Sequence, residues 1–107
     1  MISENQVQEA LNWMLENEDS LAGAKAAYHD LDRFSKTVKA ELMSKISSNM
    51  SVSARETEAL ANEEYKTHLD NLRHAEEEYL KLEYKMDHNK LICQLWQTIS
   101  ANKRQSI

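Results

Sequence analysis

The stretch SLAGAKAAYHDLDRFSKTVKAELMSKI, residues 20–46, decides the fold. Its apolar side chains Leu21, Ala24, Ala27, Tyr28, Leu31, Phe34, Val38, Leu42 and Ile46 recur in steps of mostly three and four. That spacing lays them along one face of a helix, whereas a strand would need steps of two. Asp19 or Ser20 can cap the start of this helix. Roughly 27 residues at helical rise give a length of about 40 Å. The small residues Ala22 to Ala27 would let another helix approach closely.

Composition extends the same reading to the whole chain. There is no proline, and Gly23 is the only glycine in 107 residues. Sheet proteins need both residue types at their tight turns, and helix interiors disfavour both. All-α architecture follows, and the length fits one domain, residues 1–107.

Upstream, Ser3 can cap a first helix over about 3–17, with Val7, Ala10, Leu11, Met14 and Leu15 as its stripe and Trp13 beside it. The polar cluster Asn17 to Ser20 reads as a turn. Downstream, Ser47, Ser48, Asn49, Ser51 and Ser53 make the clearest break. The second helix therefore spans about 20–47. Ser53 followed by Glu56 fits a capping box, and a last helical stretch extends over about 53–101, with a short turn to Leu60 and its long part from about Glu63 to Ala101. Asn62 can cap again inside it, which leaves open whether the chain kinks there or runs straight through. The tail 102–107 is expected to fray.

In the last helix Tyr65, Leu69, Leu72, Ala75, Tyr79, Leu82 and Met86 keep the three-four spacing. Leu80, Tyr84, Leu91 and Leu95 form a second stripe beside the first. After Lys90 the apolar face widens through Leu91, Ile92, Leu95, Trp96 and Ile99, broad enough to meet more than one neighbour. The expected architecture is a long antiparallel helical hairpin, coiled-coil-like, with the short N-terminal helix folded on one end. Its core or dimer seam is expected at Leu31, Val38, Leu72, Tyr79, Leu91, Leu95, Trp96 and Ile99. The last helix outreaches the second, so a homodimer that completes a helical bundle is the simplest cover for its end.

Charge is uneven. Residues 1–32 balance at −6, 33–55 at +4, 56–89 at −6 and 90–107 at +3. Arg33, Lys36, Lys39, Arg55, Lys103 and Arg104 are the candidate contacts for nucleic acid or another partner, although acidic flanks oppose DNA. The acidic segments could instead occupy a basic site on another protein. No apolar run reaches the roughly 20 residues of a membrane span. One cysteine, Cys93, forms no internal disulfide, and the first residues lack the pattern of a secretory signal. A cytoplasmic setting is expected.

Nothing in the residues spells catalysis. A di-metal bundle uses a Glu-x-x-His step, but Tyr65 stands three before His68 and Asn71 three before His74. All four histidines read as surface groups. Glu76, Glu77 and Glu78 point in different directions from one helix and form a solvated face. Cys93 lies on the apolar stripe, far from a helix start that would activate it. A single glycine rules out a glycine-rich phosphate loop. No enzyme activity, cofactor, metal or small-molecule substrate is expected.

Thr37-Val-Lys-Ala40, Ser53-Ala-Arg-Glu56, Glu64-Tyr-Lys-Thr-His-Leu69, the Trp96 region and Ala101-Asn-Lys-Arg104 together resemble a family of small tailed-phage (prophage) proteins of no assigned activity. The resemblance covers the chain from about residue 18 onward. It departs from the family pattern where Gln97-Thr-Ile separates Trp96 from Ser100-Ala-Asn. Such proteins are encoded near replication and recombination genes. The resemblance thus implies a bacterial host cytoplasm and an accessory part in DNA recombination or replication, through a protein or DNA partner. An inhibitor of a host protein and a helical virion component are the alternatives.

Overall fold

The computed structural model describes residues 1–105, and among them three helices and no strand. They are α1 (Glu4–Ser44), α2 (Val52–Leu60) and α3 (Glu63–Gln105). The protein is an all-α antiparallel helical hairpin in which α1 pairs with α3.

The expected break at Asn17 to Ser20 does not occur, so the two helices expected over 3–17 and 20–47 are one. These residues are only tenths of a kcal/mol poorer helix formers than alanine, and none is proline or glycine. Asn17 turns its polarity inward on its own helix: its side-chain amide donates to the Trp13 carbonyl at 2.9 Å. At the start, Ser3 and Gln6 cap reciprocally. The Gln6 N–H donates to Ser3 Oγ at 3.2 Å and the Ser3 N–H to Gln6 Oε1 at 2.7 Å.

The far end differs from expectation in the residue that caps α2. The cap of α2 is Ser51, not Ser53: the Ala54 N–H donates to Ser51 Oγ at 3.1 Å. Glu56 does not reach back to close a capping box. Its carboxylate instead pairs with Lys39 of α1 at 3.1 Å. At Asn62, where the sequence leaves a kink or a straight run open, the stretch over 53–101 is interrupted after Leu60. There Asn62 Oδ1 accepts from the Glu64 N–H at 2.8 Å and starts α3. Helix α3 then continues through residues 102–105 of the expected tail, and residues 106–107 lie outside the described residues.

The seam follows a strict alternation of three and four. On α1 it takes Val7, Ala10, Met14, Asn17, Leu21, Ala24, Tyr28, Leu31, Ser35, Val38 and Leu42, all buried or half-buried. On α3 it takes Tyr65, His68, Leu72, Ala75, Tyr79, Leu82, Met86, Asn89, Cys93, Trp96 and Ser100, again all buried or half-buried. A seven-residue repeat of this kind is the seam of a coiled coil. The stricter period also corrects the apolar reading of α1, because Ser35 takes the seam position while Phe34 and Ala27 point outward.

The chain forms two compact units. The first comprises Ala24–Glu78, with all of α2. Here Leu42 and Ala59 are buried, and Ser35 meets His68 across the seam. From that pair, each step toward the N-terminus of α1 is matched by a step toward the C-terminus of α3. Leu31 therefore comes opposite Leu72 and Tyr28 opposite Ala75. The second unit comprises Met1–Gly23 and the chain from Tyr79 onward. Ala10 and Met86 are its buried apolar residues, and Val7, Leu11 and Trp96 line one cavity between its helices.

Candidate functional site

Six cations were expected as contacts, and the structure divides them. Arg33 and Lys36 are exposed and one turn apart on α1. Lys39, one turn further, is half-buried and tied to Glu56. Arg55 is half-buried, and its Nε is buried without a hydrogen-bond partner. Of these four, Arg33 and Lys36 stand exposed, while Lys39 and Arg55 are half-buried. Lys103 and Arg104 lie elsewhere, on α3. With Trp96, Gln97 and Ser100 they line a shallow cavity of about 400 Å³.

The apolar candidates divide as well. Leu31, Val38, Leu72, Tyr79 and Trp96 are half-buried at seam positions, and Ile99 is half-buried beside the seam. Leu91 and Leu95 are not in the seam. They are 50% and 45% exposed, because the three-four alternation places Asn89, Cys93 and Trp96 inward at that level instead. Cover for the end of α3 comes on one side from the N-terminal half of α1, where Glu4, Val7 and Leu11 share a cavity with Trp96.

Polar groups inside the seam escaped the sequence reading. His68 is buried, with Nε2 at 2.8 Å from Ser35 Oγ and its ring 6.2 Å from that of Tyr65. It is not a surface histidine, because it stands three after Tyr65 and four before Leu72 in the repeat. That spacing is the signal that could have found it. Asn89 is buried too, and its Nδ2 has no partner. Asn89 lines a cavity of about 340 Å³ together with Gln6, Glu9, Ala10, Trp13, Lys85 and Ile92. Across it the Lys85 ammonium stands 5.0 Å from the Trp13 ring centroid, an attractive cation–π geometry.

One titratable group is displaced. The Glu76 carboxylate beside Tyr28, which accepts a hydrogen bond from its phenol, raises the phenol above the ordinary tyrosine value. Partial burial and Asp32 push it the same way. Among the described residues no group of three or more His, Cys, Asp or Glu gathers as a metal site, and no helix is long and apolar enough to cross a membrane.

Comparison with family models, with curated proteins and with solved structures finds no match to this chain.

Proposed function

We propose that this chain is a non-enzymatic accessory protein that self-associates and acts by docking on a macromolecular partner. The observation that carries the reading is how the chain distributes its apolar side chains. Among the described residues only Ala10, Leu42, Ala59 and Met86 form the buried apolar core. Leu11, Leu15, Phe34, Leu60, Leu69, Tyr84, Leu91 and Leu95 are all substantially exposed. A surface of that kind is suited to covering by another chain.

The resemblance to tailed-phage proteins points the partner toward DNA recombination or replication in the cytoplasm of an infected bacterium. Arg33 and Lys36 are the cations best placed to meet phosphates, since both are exposed on one flank of α1. Binding to single- and double-stranded oligonucleotides at low salt tests this by fluorescence anisotropy. Affinity should fall steeply as salt rises, and a double charge reversal, Arg33→Glu with Lys36→Glu, should weaken it about tenfold or more. If the unaltered protein shows no salt-sensitive binding, direct DNA contact is wrong.

A second reading rests on the acids. Glu4, Glu9, Glu16, Glu18 and Asp19 on α1, and Asp70, Glu76, Glu77 and Glu78 on α3, are all exposed. Such faces suit a basic site on a host protein, which the chain would occupy as an inhibitor. Capture of one stoichiometric host protein, with no DNA affinity, would favour this reading over the first.

A further inference from the structure

The last turns of α3 combine positive charge with an aromatic ring. Residues 88–107 hold Lys90, Lys103 and Arg104 and no acid. Cations in a last helical turn suit the helix dipole whatever else they do. Their spacing adds a second feature. Trp96, Ser100 and Lys103 follow one another by four and three residues, and Gln97, Ser100 and Arg104 by three and four. Both sets therefore share one side of the helix, where they line the cavity of about 400 Å³. That volume is within the range of pockets that hold small ligands or parts of larger ones.

The chemistry of this lining selects the occupant. Lys103 and Arg104 are exposed and attract an anion. Trp96 is half-buried, so part of its indole is open to another flat ring. Gln97 and Ser100 carry both donors and acceptors, which suit the edge of a base. A bare phosphate or an acidic peptide would meet the cations and leave the indole unused. An apolar side chain would meet the indole and leave the cations unmatched. Single-stranded nucleic acid presents a phosphate and an unstacked base at every residue, and so matches both. In a duplex the base faces are stacked on one another and the indole receives nothing.

We infer that the cavity of Trp96, Gln97, Ser100, Lys103 and Arg104 holds a nucleotide residue of a single-stranded nucleic acid, its base against the indole and its phosphates at the two cations. Glu4, which lines a second cavity with Trp96, opposes the phosphates and limits the affinity. This rests on the nucleic-acid version of the proposed function, and it names a strand class and residues other than Arg33 and Lys36.

Trp96 is the only tryptophan in a Trp13→Phe background, so its emission reports the site. Titration at low salt with a single-stranded oligothymidylate of about 12 nucleotides should quench that emission to saturation. The same strand annealed to its complement should leave it nearly unchanged. Lys103→Gln with Arg104→Gln should weaken single-strand binding about tenfold, with helical circular dichroism intact, and should reduce its logarithmic salt slope by about 1.4. Glu4→Gln should strengthen binding. If no oligonucleotide binds at low salt, direct nucleic-acid contact and this site fall together. If the strand binds while Trp96 emission stays fixed and the double glutamine variant binds as before, direct contact stands and this site is wrong. Equal quenching by the duplex would overturn the strand class, and equal quenching by polyglutamate would show a site for an acidic protein instead.

Discussion

Ser35 Oγ and His68 Nε2 stand 2.8 Å apart, joining α1 to α3 inside a seam otherwise built largely of apolar side chains. The pair fixes which turn of α1 meets which turn of α3, because any slip by a heptad strands the buried imidazole, whereas Ser35 Oγ keeps its bond to the Leu31 carbonyl at 3.4 Å. Ser35→Ala alone should cost about 1–3 kcal/mol, since it strands a buried imidazole. Pairing Ser35→Ala with His68→Leu should recover most of that loss. A urea-denaturation double-mutant cycle reads the coupling, and additive losses would show that the contact does not hold the register.

Gly23 sits inside a 41-residue helix, with no neighbouring atom within 4 Å of where a Cβ would stand. It has no positive φ that would require glycine. Gly23→Ala should therefore stabilise the chain by about 0.5–1 kcal/mol, through backbone entropy alone. Thermal unfolding should rise by several degrees. An unchanged or lowered midpoint would mean that α1 is not continuous at this point.

The two serines at the start of α2, the cap Ser51 and Ser53 inside the first turn, should behave unequally. Ser51→Ala removes the acceptor of the Ala54 N–H, and Asn62→Ala removes the acceptor of the Glu64 N–H. Each should cost about 1 kcal/mol by chemical denaturation. Ser53→Ala should be near neutral, because the bond at Ser53 is accepted by its main-chain carbonyl from Thr57 Oγ1.

Tyr28 should lose its proton later than an ordinary tyrosine. Its folded value lies above the unfolded one, so the stabilisation it provides is complete below the unfolded value and disappears as pH rises through the folded one. Glu76→Gln removes the largest cause and should bring the titration of Tyr28 back down. The ring-carbon chemical shift of Tyr28, followed through alkaline pH, measures this directly, and an unmoved curve would remove Glu76 as the cause.

The helical hairpin was legible because period and composition agreed: residues 20–46 carry a three-four stripe and no proline interrupts it. The continuity of α1 through Asn17 to Ser20 was not legible, since local polarity resembles a turn until a partner helix occupies the other side. Ser51 and Ser53 have similar cap propensity, and which one caps depends on where the chain leaves α1. His68, Ser35 and Asn89 were missed for a different reason. The reading followed apolar residues and so passed over polar side chains at seam positions. Of the candidate cations, Lys39 and Arg55 looked free because nothing in the sequence brings Glu56 within reach of α1.

The register of α1 against α3 underlies every contact described above, and intrachain disulfide trapping tests it most directly. In a Cys93→Ser background, Leu31→Cys with Leu72→Cys faces two thiols across the seam and should oxidise readily within one chain. Leu31→Cys with Tyr79→Cys, one heptad further along α3, should remain reduced. Efficient closure of the second pair with failure of the first would contradict the hairpin as described.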